Sequence, residues 1–135
     1  MPALALLLLL AGCAELAAPA SSCLLPAEQH MLVAELFFGR NIKGRQALTD
    51  NEWAEFAART IAPNFPEGFT AFDGEGQWRN PHSGQIAAGG TKILLVAAKP
   101  ELDLSRRLLA VIDAYKTQFQ QQSVGIITRD SCAAF

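Results

Sequence analysis

Six segments in the order strand, helix, strand, strand, helix, strand predict an α+β fold of the ferredoxin-like, split βαβ kind (βαββαβ): an antiparallel four-stranded sheet with two helices on one face. Three observations carry that reading. Short apolar runs occupy residues 31–39 and 91–98, a helix start is written into Thr49-Asp50-Asn51-Glu52, and a second helical stripe runs over residues 104–119. A chain of 135 residues, 50% hydrophobic and 18% charged, is too apolar for a disordered tail and too short for two ordinary domains.

Residues 31–39 (MLVAELFFG) hold one Glu among apolar side chains and stop at Gly39, where a loop begins. Thr49 is then the N-cap and Glu52 reaches back from the third helical position, which is the capping box. Trp53, Phe56, Ala57, Thr60 and Ile61 recur at three- and four-residue spacing, so this helix buries one stripe and ends at Pro63. Residues 64–68 are a turn by composition, 69–78 a second strand containing Gly74 and Gly76, and 80–84 another turn. Extended structure resumes at Gln85, breaks at Gly89-Gly90 and continues over 91–98 until Pro100 interrupts it. Leu104, Leu108, Ile112, Tyr115 and Phe119 trace a helical face that Leu109 and Val111 widen, and 123–129 is the last strand.

Residues 4–11 are a run of Leu and Ala about half as long as a membrane-spanning helix, the length of a signal-peptide core. The run ends in Leu10-Ala11-Gly12-Cys13, which resembles the lipobox of bacterial lipoproteins, where the bond before the cysteine is cut and its sulfur is acylated. The expected organisation is a signal peptide over 1–12, a lipidated tether over 13–30 whose 14–22 stretch is rich in Ala, Pro and Ser, and one domain over 31–135. Met1-Pro2-Ala3 departs from the signal pattern by carrying no Lys or Arg, which a start codon placed too far downstream explains. A cleaved signal without lipid, or an apolar helix of the core, are the alternatives. Ala14 after the cysteine, rather than Asp, resembles the outer-membrane sorting pattern of Gram-negative lipoproteins. The expected address is therefore a periplasm-facing membrane, with secretion as the unlipidated variant.

Once Cys13 is given to lipid, Cys23 and Cys132 remain as a pair, and an oxidising compartment makes them a disulfide. In the split βαβ topology the last strand runs antiparallel beside the first, which brings both cysteines to one end of the sheet. Two free thiols at frayed ends are the alternative.

Helices on one face leave the other face of the sheet to be explained. Met31, Val33 and Phe37 alternate with Leu32, Ala34, Leu36 and Phe38, and residues 91–98 are apolar on both sides, so something must cover the second face. The candidates are a second copy packed sheet to sheet, the Leu24-Leu25 segment, or a small apolar ligand. Along the second strand Asp73, Glu75 and Gln77 point one way and Phe72, Gly74, Gly76 and Trp78 the other. Asp73, Gln77, Trp78 and Arg79 are the candidate ligand-binding set; a solvated edge strand whose charges discourage edge pairing is the competing reading.

Eleven basic against thirteen acidic residues give a net charge of -2 with no basic cluster, which argues against nucleic acid. His30 and His82 lack metal-ligand spacing to another His, Cys or carboxylate, so no metal site is expected. No Gly-x-Ser-x-Gly elbow occurs, and Gly74-x-Gly76 lacks the rest of a dinucleotide fingerprint. Neither a catalytic residue nor a cofactor is expected.

Glu35-Leu36-Phe37-Phe38-Gly39, Trp53, Phe56, the run from Pro63 through Phe65-Pro66-Glu67-Gly68 to Thr70, Asp73, Gly76-Gln77-Trp78-Arg79, and Tyr115, Phe119, Gln122, Ser123 and Val124 together resemble the bacterial domain of unknown function 3574 family. The resemblance spans residues 31–129, and its members are typically small secreted proteins or lipoproteins. They tend to show an acid ahead of Ser-Lys or Thr-Lys, which Gly89-Gly90-Thr91-Lys92 lacks. The resemblance implies a fold and an address and no reaction. The expected function is a binding or interaction module of the cell envelope with no catalytic motif evident, which leaves enzyme activity open, anchored by lipid, with a homodimer through the sheet face and another envelope protein as the expected partners. The contrasting expectation is a dimeric α+β-barrel-like enzyme acting on a small apolar or aromatic substrate, an expectation by fold analogy.

Overall fold

The computed structural model describes residues 23–135, so Cys13, the signal segment and the first part of the tether lie outside the described residues. Four strands, β1 (Gln29–Gly39), β2 (Thr70–Arg79), β3 (Ile86–Ala98) and β4 (Gly125–Ala133), form one antiparallel sheet in the order β2-β3-β1-β4. Helices α1 (Asp50–Phe56), α2 (Ala62–Asn64) and α3 (Leu104–Gln118) provide the crossovers. β3 lies between β1 and β2, and β1 between β3 and β4, so each βαβ unit is split by a strand of the other. The α+β class is the one the sequence predicts.

One face of the sheet makes the core. Ala34, Leu36 and Phe38 of β1 and Leu94 and Val96 of β3 pack against Trp53, Phe56, Ile61, Leu108, Val111 and Tyr115 from the helices. Phe38 sits at the centre of the aromatic group, its ring 4.7 Å from Tyr115, 5.3 Å from Trp53 and 6.3 Å from Phe56. Tyr115 is fully buried, and its hydroxyl donates to the Gly39 carbonyl at 2.8 Å, so the phenol enters the core with its polar tip satisfied. Burial raises its pKa far above the ordinary tyrosine range. On α3, Val111 is buried and Leu109 is exposed, which shifts the stripe from the expected one: Leu104, Leu108, Val111 and Tyr115 face the sheet.

Several boundaries differ from the sequence reading, each for a physical reason. The capping box is formed as expected, with Glu52 N donating to Thr49 Oγ1 at 3.2 Å and Thr49 N to Glu52 Oε2 at 2.9 Å. The helix does not end at Pro63, however. A π-helical stretch, Ala57–Ile61, widens it by one residue per turn before α2, where the Ala62 N–H donates to the Ala57 carbonyl. The wider turn accommodates a proline, which has no N–H and whose ring crowds the carbonyl four residues back. Nor does Gly89-Gly90 break β3, which runs unbroken from Ile86 to Ala98. A Cβ at Gly89 would lie 2.4 Å from Asn41 Nδ2, so the glycine permits a close approach rather than a turn. β4 extends to Ala133, four residues past its expected end, because Ser131 and Cys132 pair with Met31 and His30.

Cys23 and Cys132 are joined in a disulfide, their Cα atoms 5.7 Å apart. Structure therefore begins earlier than the tether over 13–30 allows, and Gln29 and His30 already belong to β1. The second sheet face carries Phe37, Phe72, Ile93, Leu95 and Ile127, with Phe72 and Ile127 exposed. The Leu24-Leu25 segment does not cover it, since Leu24 is 91% and Leu25 56% exposed. Among the described residues no helix is long and apolar enough to cross a membrane.

Candidate functional site

Lys92 lies two and four residues before the core residues Leu94 and Val96 and so shares their face, and β3 carries its side chain to the helix side of the sheet, where it is 6% exposed. Asp73 is its partner in the β2–β3 ladder, and Asp50 opens α1. Lys92 Nζ lies 2.7 Å from Asp73 Oδ1 and 2.9 Å from Asp50 Oδ1. Arg40 closes the ring, its Nη1 3.4 Å from Asp73 and its Nη2 3.3 Å from Asp50. Arg40 is fixed in turn by two hydrogen bonds to the Leu48 carbonyl, from Nε at 2.9 Å and Nη2 at 2.6 Å. Burial pulls the Lys92 pKa down, but the hydrogen bonds and charges of Asp73 and Asp50 outweigh it and leave the ammonium raised. The Lys92 hydrogen bond, then the charges of Lys92 and Arg40, hold the Asp50 carboxyl below its ordinary range. Two cations thus saturate two carboxylates, and the knot ties β2, β3 and the start of α1 together.

The two shifts act at opposite ends of the pH scale. The raised Lys92 contributes stability below the ordinary lysine range and loses it as pH rises through its folded value. The lowered Asp50 contributes above the ordinary carboxylate range and loses it as pH falls through its folded value. Lys92→Met is therefore expected to flatten the alkaline decline of the melting temperature, followed by circular dichroism from neutral to strongly alkaline pH. An unchanged alkaline slope would assign that decline to other groups.

A cavity of about 520 Å³ lies where β3 runs out. Met31, Phe69, Leu95, Ala97 and Phe135 give it apolar walls, and Glu67, Lys99, Glu101 and Arg107 a charged rim. The rim is built on Arg107 of α3. Its Nε donates to the Asn64 carbonyl at 2.6 Å and its Nη2 to Glu67 Oε2 at 3.0 Å, while Nη1 lies 3.8 Å from Glu101. The guanidinium also stacks over the Phe65 ring, 5.0 Å from its centroid. The Glu67 carboxyl is held below its ordinary pKa by its own backbone N–H and, against a desolvation penalty, by Arg107. A volume of this size falls in the range of small-molecule sites, about 300–1,000 Å³, and the lining has their usual character, apolar walls with a few placed polar groups.

The residues singled out in the sequence do not converge. Asp73 belongs to the Lys92 knot, and Gln77 and Arg79 lie further along the same side of β2. Trp78 faces the other side and is 45% exposed, and Arg79 Nη1 reaches only the Gly84 carbonyl of the following turn, at 3.4 Å. Since β1 pairs with β3 only from Thr91 onward, residues 75–79 and 86–90 project beyond β1 as a two-stranded arm. None of the four lines the cavity. Lys92 and Arg107 were missed because a lone Lys in an apolar strand and a lone Arg on a helix carry no local signal of burial. The family resemblance was the available pointer, since Glu67 lies in its Phe-Pro-x-Gly run and Lys92 in its Thr-Lys pair.

A family model described as "Protein of unknown function (DUF3574)" matches residues 33–135. Curated proteins give no match by sequence. Among solved structures, a phage SAM lyase in complex with S-methyl-5'-thioadenosine aligns with a TM-score of 0.61 at 15% identity, over 78% of this chain and 90% of that one. A phage SAM lyase in the apo state aligns with a TM-score of 0.58 at 14% identity, over 86% of this chain and 97% of that one. At such identity the likeness is one of fold. Both of these neighbours are described as lyases, which goes against the expected binding or interaction module and with the contrasting expectation.

Proposed function

This chain belongs to the DUF3574 family, and from that premise we propose that it is an enzyme acting on a small molecule with an apolar or aromatic body, held in the cavity at the end of β3. The observation that carries the reading is the cavity itself, whose apolar walls adjoin a rim that Arg107 holds in place. Phe69 and Leu95 take the apolar body. Glu67, Glu101, Lys99 and Arg107, two acids and two bases, favour a polar or zwitterionic head group. The fold likeness to a SAM lyase supports the same substrate class, because S-methyl-5'-thioadenosine joins an aromatic base to a thioether.

Isothermal titration with S-methyl-5'-thioadenosine, and chromatography of SAM incubated with the protein, test it directly. Binding or turnover is expected, with a loss of at least about tenfold in affinity for Leu95→Trp, whose indole fills a site sized for ligand. Failure of both nucleosides to bind, or binding unchanged in Leu95→Trp, would overturn the reading.

A second copy laid over the open sheet face is part of the proposal, since Met31, Leu95 and Ala97 belong to both that face and the cavity wall. So is an acylated Cys13 that holds the protein on a periplasm-facing membrane, supported by the Leu10-Ala11-Gly12-Cys13 motif. Light scattering should return a dimer mass, and mass spectrometry of the membrane fraction should find Cys13 acylated at the new N-terminus. A monomer, or an unmodified soluble N-terminus, would remove the corresponding part.

A further inference from the structure

His30 stands directly across from Cys132 in the β1–β4 ladder. Cross-strand partners carry their side chains on the same face, with Cβ atoms about 4.5–5.5 Å apart. The Cys23 sulfur is brought to the same place by its bond to Cys132. As a result one ligand atom from each of Cys23, His30 and Cys132 lies within 4.8 Å of the others, a grouping that the linear spacing of these residues conceals. His30 is exposed and both cysteines are partly so, which leaves the group open to water and to reagents.

We propose that these three residues form a zinc-class metal site that the disulfide keeps closed. In the disulfide neither sulfur is a thiolate, and the thiolate is the form that binds metal. A dithiol reductant opens the site: one of its thiolates attacks a cysteine sulfur and expels the other as a thiolate. Its second thiolate then attacks the reductant's own sulfur in the mixed disulfide and expels the remaining cysteine as a thiolate, leaving two protein thiols and one cyclic disulfide. Binding of a divalent cation releases two protons to solvent, and the two thiolates and the neutral His30 imidazole become the ligands. Metal–sulfur and metal–nitrogen distances of about 2.3 and 2.0–2.1 Å put tetrahedral ligand atoms roughly 3.3–3.8 Å apart. The sulfurs therefore separate by a rotation of each side chain, and the imidazole already lies within reach. The fourth position stays open to water, as in a three-ligand zinc site.

Cobalt(II) is the probe, because tetrahedral thiolate coordination gives it intense visible bands. The full chain carrying Cys13→Ser leaves only the two thiols in question, and a phosphine reduces it without adding a competing thiol. The reduced protein should take up one equivalent of cobalt, zinc should displace it, and the oxidised protein should take up none. His30→Ala removes a ligand outright, so it should weaken binding by more than the about 10–100-fold typical of losing an outer-shell partner. Circular dichroism in parallel records whether the reduced chain is folded, either before cobalt is added or because of it. Absence of the bands in the reduced protein, or equal cobalt affinity in His30→Ala whether or not the chain is folded, would overturn the proposal.

Discussion

Replacing Cys23 and Cys132 together by Ser is expected to lower the unfolding free energy by about 4–5 kcal/mol, the chain-entropy value for a closed loop of this size. The two cysteines are 109 residues apart, so the bond restricts nearly the whole unfolded domain. A domain of this length has about 5–15 kcal/mol in total, and the loss would leave it near the margin. Urea unfolding with and without reductant measures it: the midpoint of the wild type should fall on reduction, and that of the double variant should not respond. A change under about 1 kcal/mol would mean that the unfolded chain keeps its ends together without the bond.

Phe38→Ala is expected to cost about 3–5 kcal/mol, the range for deleting a fully buried phenyl ring. Phe38 is 0% exposed and packs against Trp53, Phe56 and Tyr115 at once, so its removal leaves a void between β1 and both α1 and α3. Phe38→Leu keeps most of the volume and should cost less than half as much. Phe72→Ala, on the open face and 48% exposed, is the control for an aromatic of the same size. Equal losses at the two positions would deny Phe38 its central place.

The fold was legible because its signals are local. Strand and helix patterns and the Thr49–Glu52 capping box each span sixteen residues or fewer, and the cysteine pairing followed from chain topology. What failed locally did so because a distant partner or an irregular turn was not written in the pattern. Gly89 reads as a break until Asn41 is seen lying over it, and Pro63 reads as a stop until the helix widens beneath it. The candidate site was harder still. Asp73 was picked for its neighbours on β2, yet its ion partners are Lys92, which meets it across the ladder, and Arg40. The cavity draws Met31, Phe69, Leu95, Arg107 and Phe135 from five separate parts of the chain, and no spacing rule connects them. The Cys23, His30 and Cys132 grouping was hidden in the same way, by a register that only the assembled sheet reveals.

The bond between Cys23 and Cys132 also closes residues 23–132 into a covalent ring. A protease that cuts any loop inside the ring, such as the turn at 80–84, linearises it without releasing a fragment. Both new ends stay attached, and the sheet can remain assembled around the nick. New termini introduced at that turn, with the old ones already locked together, would likewise leave every strand in place.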